Sequence, residues 1–271
     1  MSQIATKLTG VPRTLLLPLR ARADEQSHSH PLFQDPLAVE WLKLLGWDRE
    51  LDTFYPKNSQ VTSIAIAIRT CQHDQIASRH IANHSHPIVV ELGAGLSSRF
   101  HRIGQNAYRW FELDLPVVTE LRSKLDTQTE QHQFISASVM DFDWMETLSD
   151  VAPENILFIA EGLLMYLDPN EVQELINVMR SRFPSATLDV EVVGNFLNKI
   201  YRKKLTQIKA PFQWFVNNEK DLTAMGLQVV NTWSVYQIHQ ERWPWQWQLL
   251  LKLLTQFPYF RNGYLIVETK L

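Results

Sequence analysis

Two hydrophobic periods alternate along this chain. Between residues 87 and 193, short apolar runs recur at 88–92, about 109–114, Phe134–Ser138, Ile156–Ala160 and Thr187–Val193. Each is bounded by turn residues, and helical spacing lies between them, which predicts an α/β fold around a parallel sheet. The helix starts are signalled too. Leu115-Pro116 ends the second strand and opens a helix through Val117–Leu125. Asp168-Pro169-Asn170-Glu171 reads as a capping box, after which Val172, Leu175, Ile176, Met179 and Phe183 follow at helical spacing until Pro184.

The flanks differ. Residues 1–86 predict a helical extension with three helices: Leu15–Glu25, one opening at Asp35-Pro36 and closing at Gly46, and Val61–His80. Residues 194–271 are less regular. A basic helix over Asn195–Ala210, an apolar helix over Leu249–Leu254 and strands at Leu227–Trp233 and Tyr264–Thr269 are expected, the two strands closing the sheet as an antiparallel edge pair. The chain therefore divides into an extension (1–86), a nucleotide-binding core (87–193) and a lid with closing strands (194–271), within one unit of 271 residues.

Composition narrows the picture. The chain is 45% hydrophobic and 20% charged, with a net charge of −3, so no global basicity points to nucleic acid. The lone Cys71 excludes an internal disulfide and suits a reducing, cytoplasmic setting. Leu15-Leu16-Leu17 is cut short by Pro18, so neither a signal peptide nor a membrane span is expected. No metal is expected; His80, His84 and His86, like His28 and His30, read as ordinary loop histidines. The basic run at 199–209 reads as a solvated helix face, or as a guide for an acidic substrate or a carrier protein.

The chemistry concentrates at the first strand. Pro87–Arg99, PIVVELGAGLSSR, is a strand running into a glycine turn (Gly93, Gly95) that can open a helix. About twenty residues on, Trp110–Asp114 reads as a second strand ending in carboxylates, Glu112 and Asp114, which suit ribose hydroxyls. Glu91, just before the turn, disfavours a pyrophosphate and suits a cofactor with a cationic tail, which tilts the reading from a dinucleotide to S-adenosylmethionine. Glu91, Asp114 and Glu161 end strands, and Asp141 follows one. Four acids around one crevice call for a ligand rich in donors.

ELGAGLSSRF, WFELDLP and FIAEGLLMYL, with RTLLLPLRARADEQ and AIRT upstream, resemble the leucine carboxyl methyltransferase and polyketide O-methyltransferase superfamily over roughly residues 13–190. The resemblance implies a doubly wound, mostly parallel seven-stranded class I methyltransferase sheet. By the same resemblance, Arg69 pairs with the cofactor's carboxylate, with Arg22 as a looser candidate. Gly93 and Gly95 let the backbone approach, Asp114 holds the ribose, Asp141 and Phe142 border the adenine, and Glu161 sits by the amino group or methyl centre. Tyr166 and Trp214 are assigned to the acceptor. The family's Asp-Thr-Arg after GAGL is here Ser97-Ser98-Arg99.

The expected activity is methyl transfer from S-adenosylmethionine to an oxygen of a small, partly apolar molecule. His73, Tyr166 and Glu161 stand as unassigned candidates for a general base. Methylation of a protein C-terminal carboxylate, a nicotinamide oxidoreductase and a nucleoside-binding module are the alternatives.

Overall fold

The computed structural model describes residues 8–55 and 60–271. Its strands are β1 (Ile88–Leu92), β2 (Arg109–Asp114), β3 (His132–Ser136), β4 (Ile156–Ala160), β5 (Thr187–Val193), β6 (Gln228–Ser234) and β7 (Tyr264–Lys270). They form a seven-stranded sheet in the order β3-β2-β1-β4-β5-β7-β6. Strands β1 to β5 pair in parallel, and β7 runs antiparallel between β5 and β6. The winding reverses between β1 and β4, which opens a crevice at their carboxyl ends. β3 starts two residues before the expected Phe134, because pairing with β2 sets His132 opposite Trp110 and Ser136 opposite Asp114. Ala137 and Ser138 thereby leave the strand for the loop above it.

The helices are α1 (Leu16–Glu25), α2 (Pro36–Leu45), α3 (Val61–Asn83), α4 (Arg99–Ile103), α5 (Pro116–Arg122), α6 (Pro169–Arg182), α7 (Asn195–Gln207), α8 (Glu219–Ala224), α9 (Trp245–Leu254) and α10 (Pro258–Arg261). Their ends follow the sequence signals. The Asp35 side chain caps α2 by accepting from the Ala38 N–H at 3.1 Å. Asp168 and Glu171 make the reciprocal capping box of α6.

Strand alternation sorts the core. Val90, Leu92, Phe111, Leu113, Phe158, Leu188 and Val190 pack against Val172, Leu175, Ile176 and Met179 of α6. Val89, Trp110, Leu157 and Ile159 face the other way, against Ile64, Ile68 and Ile76 of α3. Each such fully buried side chain stabilises the fold by roughly 1.5–3 kcal/mol. A third cluster joins α1 and α2 to α5 and the end of α7 through Leu16, Leu19, Trp41, Val118, Leu121 and Leu205.

The same alternation places acids. Glu91, Glu112 and Ile159 share one register row, and Asp189 sits beside Ile159. Glu191, two residues on in β5, has the same phase. Four carboxylates therefore project from the α3 face of the sheet, each at most 3% exposed. Buried charges of this kind require partners.

Candidate active site

A cavity of about 490 Å³ opens at the carboxyl ends of β1 and β4. The turn Gly93–Ser97 forms part of its wall. Gly93 has φ +65°, a left-handed conformation that favours glycine, and a Cβ there would crowd the Leu163 side chain. Strand β1 hands the chain directly to this turn, and α4 begins just beyond it.

Asp114, at the tip of β2, also lines the cavity. Its carboxylate accepts the Gly95 N–H and the Leu115 N–H, each at 2.7 Å. Burial pushes its pKa up to about 6, against the pull of those two donors. Glu112 is spoken for. Arg122 holds both its oxygens at 2.7 and 2.9 Å, and His132 sits 2.9 Å away. Burial resists its charge, but Arg122 prevails and its pKa is lowered. Of the two ribose candidates, only Asp114 lies on the wall. Ala137, Ser138 and Val139 line the cavity beyond it. Asp141 and Phe142 are not among the lining residues: Asp141 is exposed ahead of a 3₁₀ turn at Phe142–Leu148, and Phe142 packs on the α6 side of the core.

Arg99, 1% exposed, ties the acidic cluster together. Its Nε donates to Asp74 at 2.7 Å, Nη1 to Glu91 and Nη2 to Glu161. Glu91 also accepts from Ser97 Oγ at 3.1 Å and Trp110 Nε1 at 3.2 Å. The protein itself thus neutralises the charge that, from the sequence, sets Glu91 against a pyrophosphate. Of the four acids expected around the crevice, Glu91, Asp114 and Glu161 line the cavity, the first and last paired within the protein, and Asp141 lies off the wall. Burial favours protonation of Glu161, yet Arg69 and Arg99 hold its pKa well below the usual value.

Arg69 extends the lattice from α3. Its Nε donates to Glu161 at 2.8 Å, and its Nη1 to Glu191 at 3.2 Å and to the Tyr264 hydroxyl at 3.3 Å. Its Nη2 makes no hydrogen bond to the described residues. Arg22 also lines the cavity, but each of its nitrogens already donates within the protein, to the Leu96 carbonyl at 2.5 Å, Ser98 Oγ at 2.8 Å and the Pro18 carbonyl at 3.4 Å.

Aromatic and aliphatic side chains complete the wall: Phe54, Tyr166, Leu197, Tyr201, Phe212 and Trp243. The rings of Tyr166 and Phe212 lie 5.4 Å apart. Trp214, expected here, points instead into the α6-side core and does not line the cavity. Phe212, two residues earlier, is the aromatic that does. None of the three base candidates fits the role. His73 is fully buried against Asp189 at 2.7 Å and does not line the cavity. Glu161 is held ionised by two arginines. Burial pushes the Tyr166 phenol up to about 12, so it stays a hydrogen-bond donor at neutral pH.

His80 and His84 stack on each other, and His80 bonds the Asn155 carbonyl. Among the described residues, one grouping has metal-ligand spacing: His101, Asp126 and His132, with ligand atoms within 4.8 Å of one another. It lies off the cavity, and Arg122 already pairs with Asp126 at 3.0 Å.

The model of the leucine carboxyl methyltransferase family matches residues 16–180, which run from α1 through the glycine turn into α6. The chain belongs to the leucine carboxyl methyltransferase family. It is an S-adenosylmethionine-dependent methyltransferase with a class I fold. The tetracenomycin polyketide synthesis O-methyltransferase TcmP of Streptomyces glaucescens is 30% identical to it over 234 residues, 84% of each chain. The S-adenosyl-L-methionine-dependent methyltransferase dpfgK of Gibberella zeae is 22% identical over 234 residues, covering 79% of this methyltransferase and 78% of the relative. A Thermobifida fusca protein, whose solved structure is described as that of a candidate methyltransferase, superposes with a TM-score of 0.53 at 16% identity. The match covers 82% of this methyltransferase and 93% of that chain, and it speaks for the fold alone.

Proposed function

We propose that this methyltransferase methylates an oxygen of a small, largely apolar, polyketide-like acceptor. The carrying observation is the composition of the cavity. Its charged side chains are Asp114 and the arginine–carboxylate lattice around Arg69 and Arg99, and its apolar lining includes Phe54, Leu197, Tyr201, Phe212, Tyr236 and Trp243. The similarity to TcmP, named for polyketide synthesis, supports the same class.

The donor end fits S-adenosylmethionine, which when bound supplies an electrophilic methyl group on its sulfonium. Asp114 accepts from the ribose hydroxyls once ionised. The backbone at Gly93 and Gly95 offers close approach. Arg69 would offer its Nη2 to the amino-acid carboxylate while Glu161 and Glu191 hold Nε and Nη1. Glu161 and Glu91 act through Arg69 and Arg99 as positioning groups. The aromatic wall excludes water and orients the acceptor oxygen, so the rate enhancement comes chiefly from alignment. An acceptor carboxylate or acidic phenol needs no base, in keeping with the unsuitability of His73, Tyr166 and Glu161.

Residues 194–271 supply Leu197, Tyr201, Leu205, Phe212, Tyr236 and Trp243, and we assign acceptor choice to this segment. Methylation of a protein C-terminus is less well supported, because the lining arginines all belong to the charged lattice at the donor end. A cytoplasmic setting is inferred from the lone, buried Cys71. Among the described residues, no helix is long and apolar enough to cross a membrane.

The test is calorimetry with S-adenosylhomocysteine and NADH, followed by a mass screen of phenolic and carboxylic acceptors with the donor present. Binding of S-adenosylhomocysteine alone, with gain of one methylene on an aromatic acceptor, is expected. Binding without turnover of any phenolic or carboxylic acceptor would refute the proposed acceptor class. Methylation confined to peptide C-termini would move it to the alternative.

A further inference from the structure

A broad apolar face lies outside the site. Helix α9 exposes Trp245 (67%), Leu249 (59%) and Leu253 (69%), and the turn into the short α10 exposes Phe257 (62%), with Trp247, Leu250 and Tyr259 less exposed beside them in the chain. Leu251 is the single buried residue of α9. It packs into the cluster that also holds Trp243, Tyr236 and Leu197, three residues of the cavity wall. Exposed large apolar side chains in such density mark an interaction surface.

The two segments that carry and flank this face are basic. Residues 195–216 and 243–263 together contain seven lysines and arginines and no acid, in a chain whose net charge is −3. The two segments touch: Lys199 Nζ of α7 lies 5.6 Å from the Tyr259 ring centroid, and the rings of Phe196 and Tyr259 are 5.9 Å apart. Helix α7 is itself two-faced. Leu197, Tyr201 and Leu205 line the cavity, while Lys199, Arg202 and Lys203 face outwards.

We propose that α9 and α10, flanked by the basic side of α7, dock on an anionic lipid surface. Tryptophans, tyrosines and leucines that enter the headgroup boundary, beside lysines and arginines that meet anionic headgroups, are the chemistry of a helix lying in a membrane interface. The contact is peripheral, so it requires no spanning helix. A second copy of the chain fits less well, since a two-fold contact brings the same basic residues face to face. Through Leu251 the docked helix packs into the same cluster as part of the apolar cavity wall.

Vesicle flotation tests this with the full chain, using phosphatidylcholine alone and phosphatidylcholine doped with phosphatidylglycerol. The expected result is at least about tenfold stronger binding to the anionic vesicles, lost at high salt. Leu249→Gln, Leu253→Gln and Phe257→Gln combined should abolish flotation on both vesicle types, with the thermal midpoint unchanged. Lys199→Gln, Arg202→Gln and Lys203→Gln combined should remove only the preference for anionic lipid. Absence of wild-type flotation overturns the proposal, as does flotation that survives the apolar triple variant. A wild-type dimer by light scattering that becomes a monomer in that variant, without vesicle binding, would show the face to be a self-interface instead.

Discussion

Replacing Arg99 with leucine tests the charged lattice at its centre. Arg99 is 1% exposed and serves Asp74, Glu91 and Glu161 at once. Two of these have other support. Arg69 still reaches Glu161 at 2.8 Å, and Arg102 still holds Asp74 at 2.8 Å. Glu91 is left with only Ser97 Oγ and Trp110 Nε1. Removing one partner of a buried ion pair costs about 3–5 kcal/mol, because the other charge stays buried. Burial already raises the pKa of Glu91, with Arg99 opposing it. Without Arg99 the rise is larger, and a raised native pKa means that the native state binds the proton more tightly than the unfolded chain. Stability in the variant is then lost as pH rises through that value. The deficit relative to wild type should therefore be largest at pH 8 and shrink towards pH 5.5. Urea unfolding at three pH values measures it, with constant m-values as the check on two-state behaviour. Adding Glu91→Gln should restore about half the loss. A deficit below about 1 kcal/mol at pH 8, or one that grows on acidification, would refute the reasoning.

Asp114→Ala should weaken S-adenosylhomocysteine binding by roughly 30- to 1,000-fold, the value of one or two hydrogen bonds to a charged acceptor, with little change in unfolding midpoint; calorimetry decides. In the wild type that affinity should be level above about pH 7 and fall as pH drops through about 6, because the cofactor favours the ionised carboxylate and loses it there. Glu112→Gln, by contrast, should lower stability by about 3 kcal/mol and leave cofactor affinity within about threefold, since Glu112 serves Arg122 and His132 rather than the cavity. Phe212→Ala should raise the acceptor KM by roughly tenfold without altering S-adenosylhomocysteine affinity, as steady-state kinetics on any acceptor found by the mass screen would show.

Strands β1, β4 and β5, the caps of α2 and α6, and the glycine turn were all legible from local pattern, since each rests on neighbours in sequence. The place of Asp114 on the cavity wall was legible for the same reason, since it lies at a strand end a fixed distance beyond the turn. What failed depended on partners far along the chain. Trp214 and Phe212 are two residues apart in an irregular segment, and nothing local says which one faces the cavity. Asp141 follows a strand whose end lies two residues earlier than the apolar run suggests, so it falls past the wall. The lattice itself left a trace that could have been used. Arg69 and His73 are spaced i, i+4 on α3, and Asp189 and Glu191 are spaced i, i+2 on β5. A helix face and a strand face with matching charges are a pairing signal across 116 to 122 residues.

Glu91 shows why that signal matters for function. Taken alone, a carboxylate before the glycine turn selects against pyrophosphate by repulsion. In the fold its charge is met by Arg99, eight residues on, and so it exerts no such selection. On the proposed reading, the preference for an adenosyl donor rests on Asp114, whose carboxylate lies on the wall with a raised pKa, and on Arg69, whose Nη2 makes no hydrogen bond among the described residues. Glu91 then belongs to the support of the site. It holds Arg99, Arg99 holds Glu161, and Glu161 aims Arg69. Substituting Glu91 should therefore act on cofactor affinity only through this chain of contacts, and on stability directly.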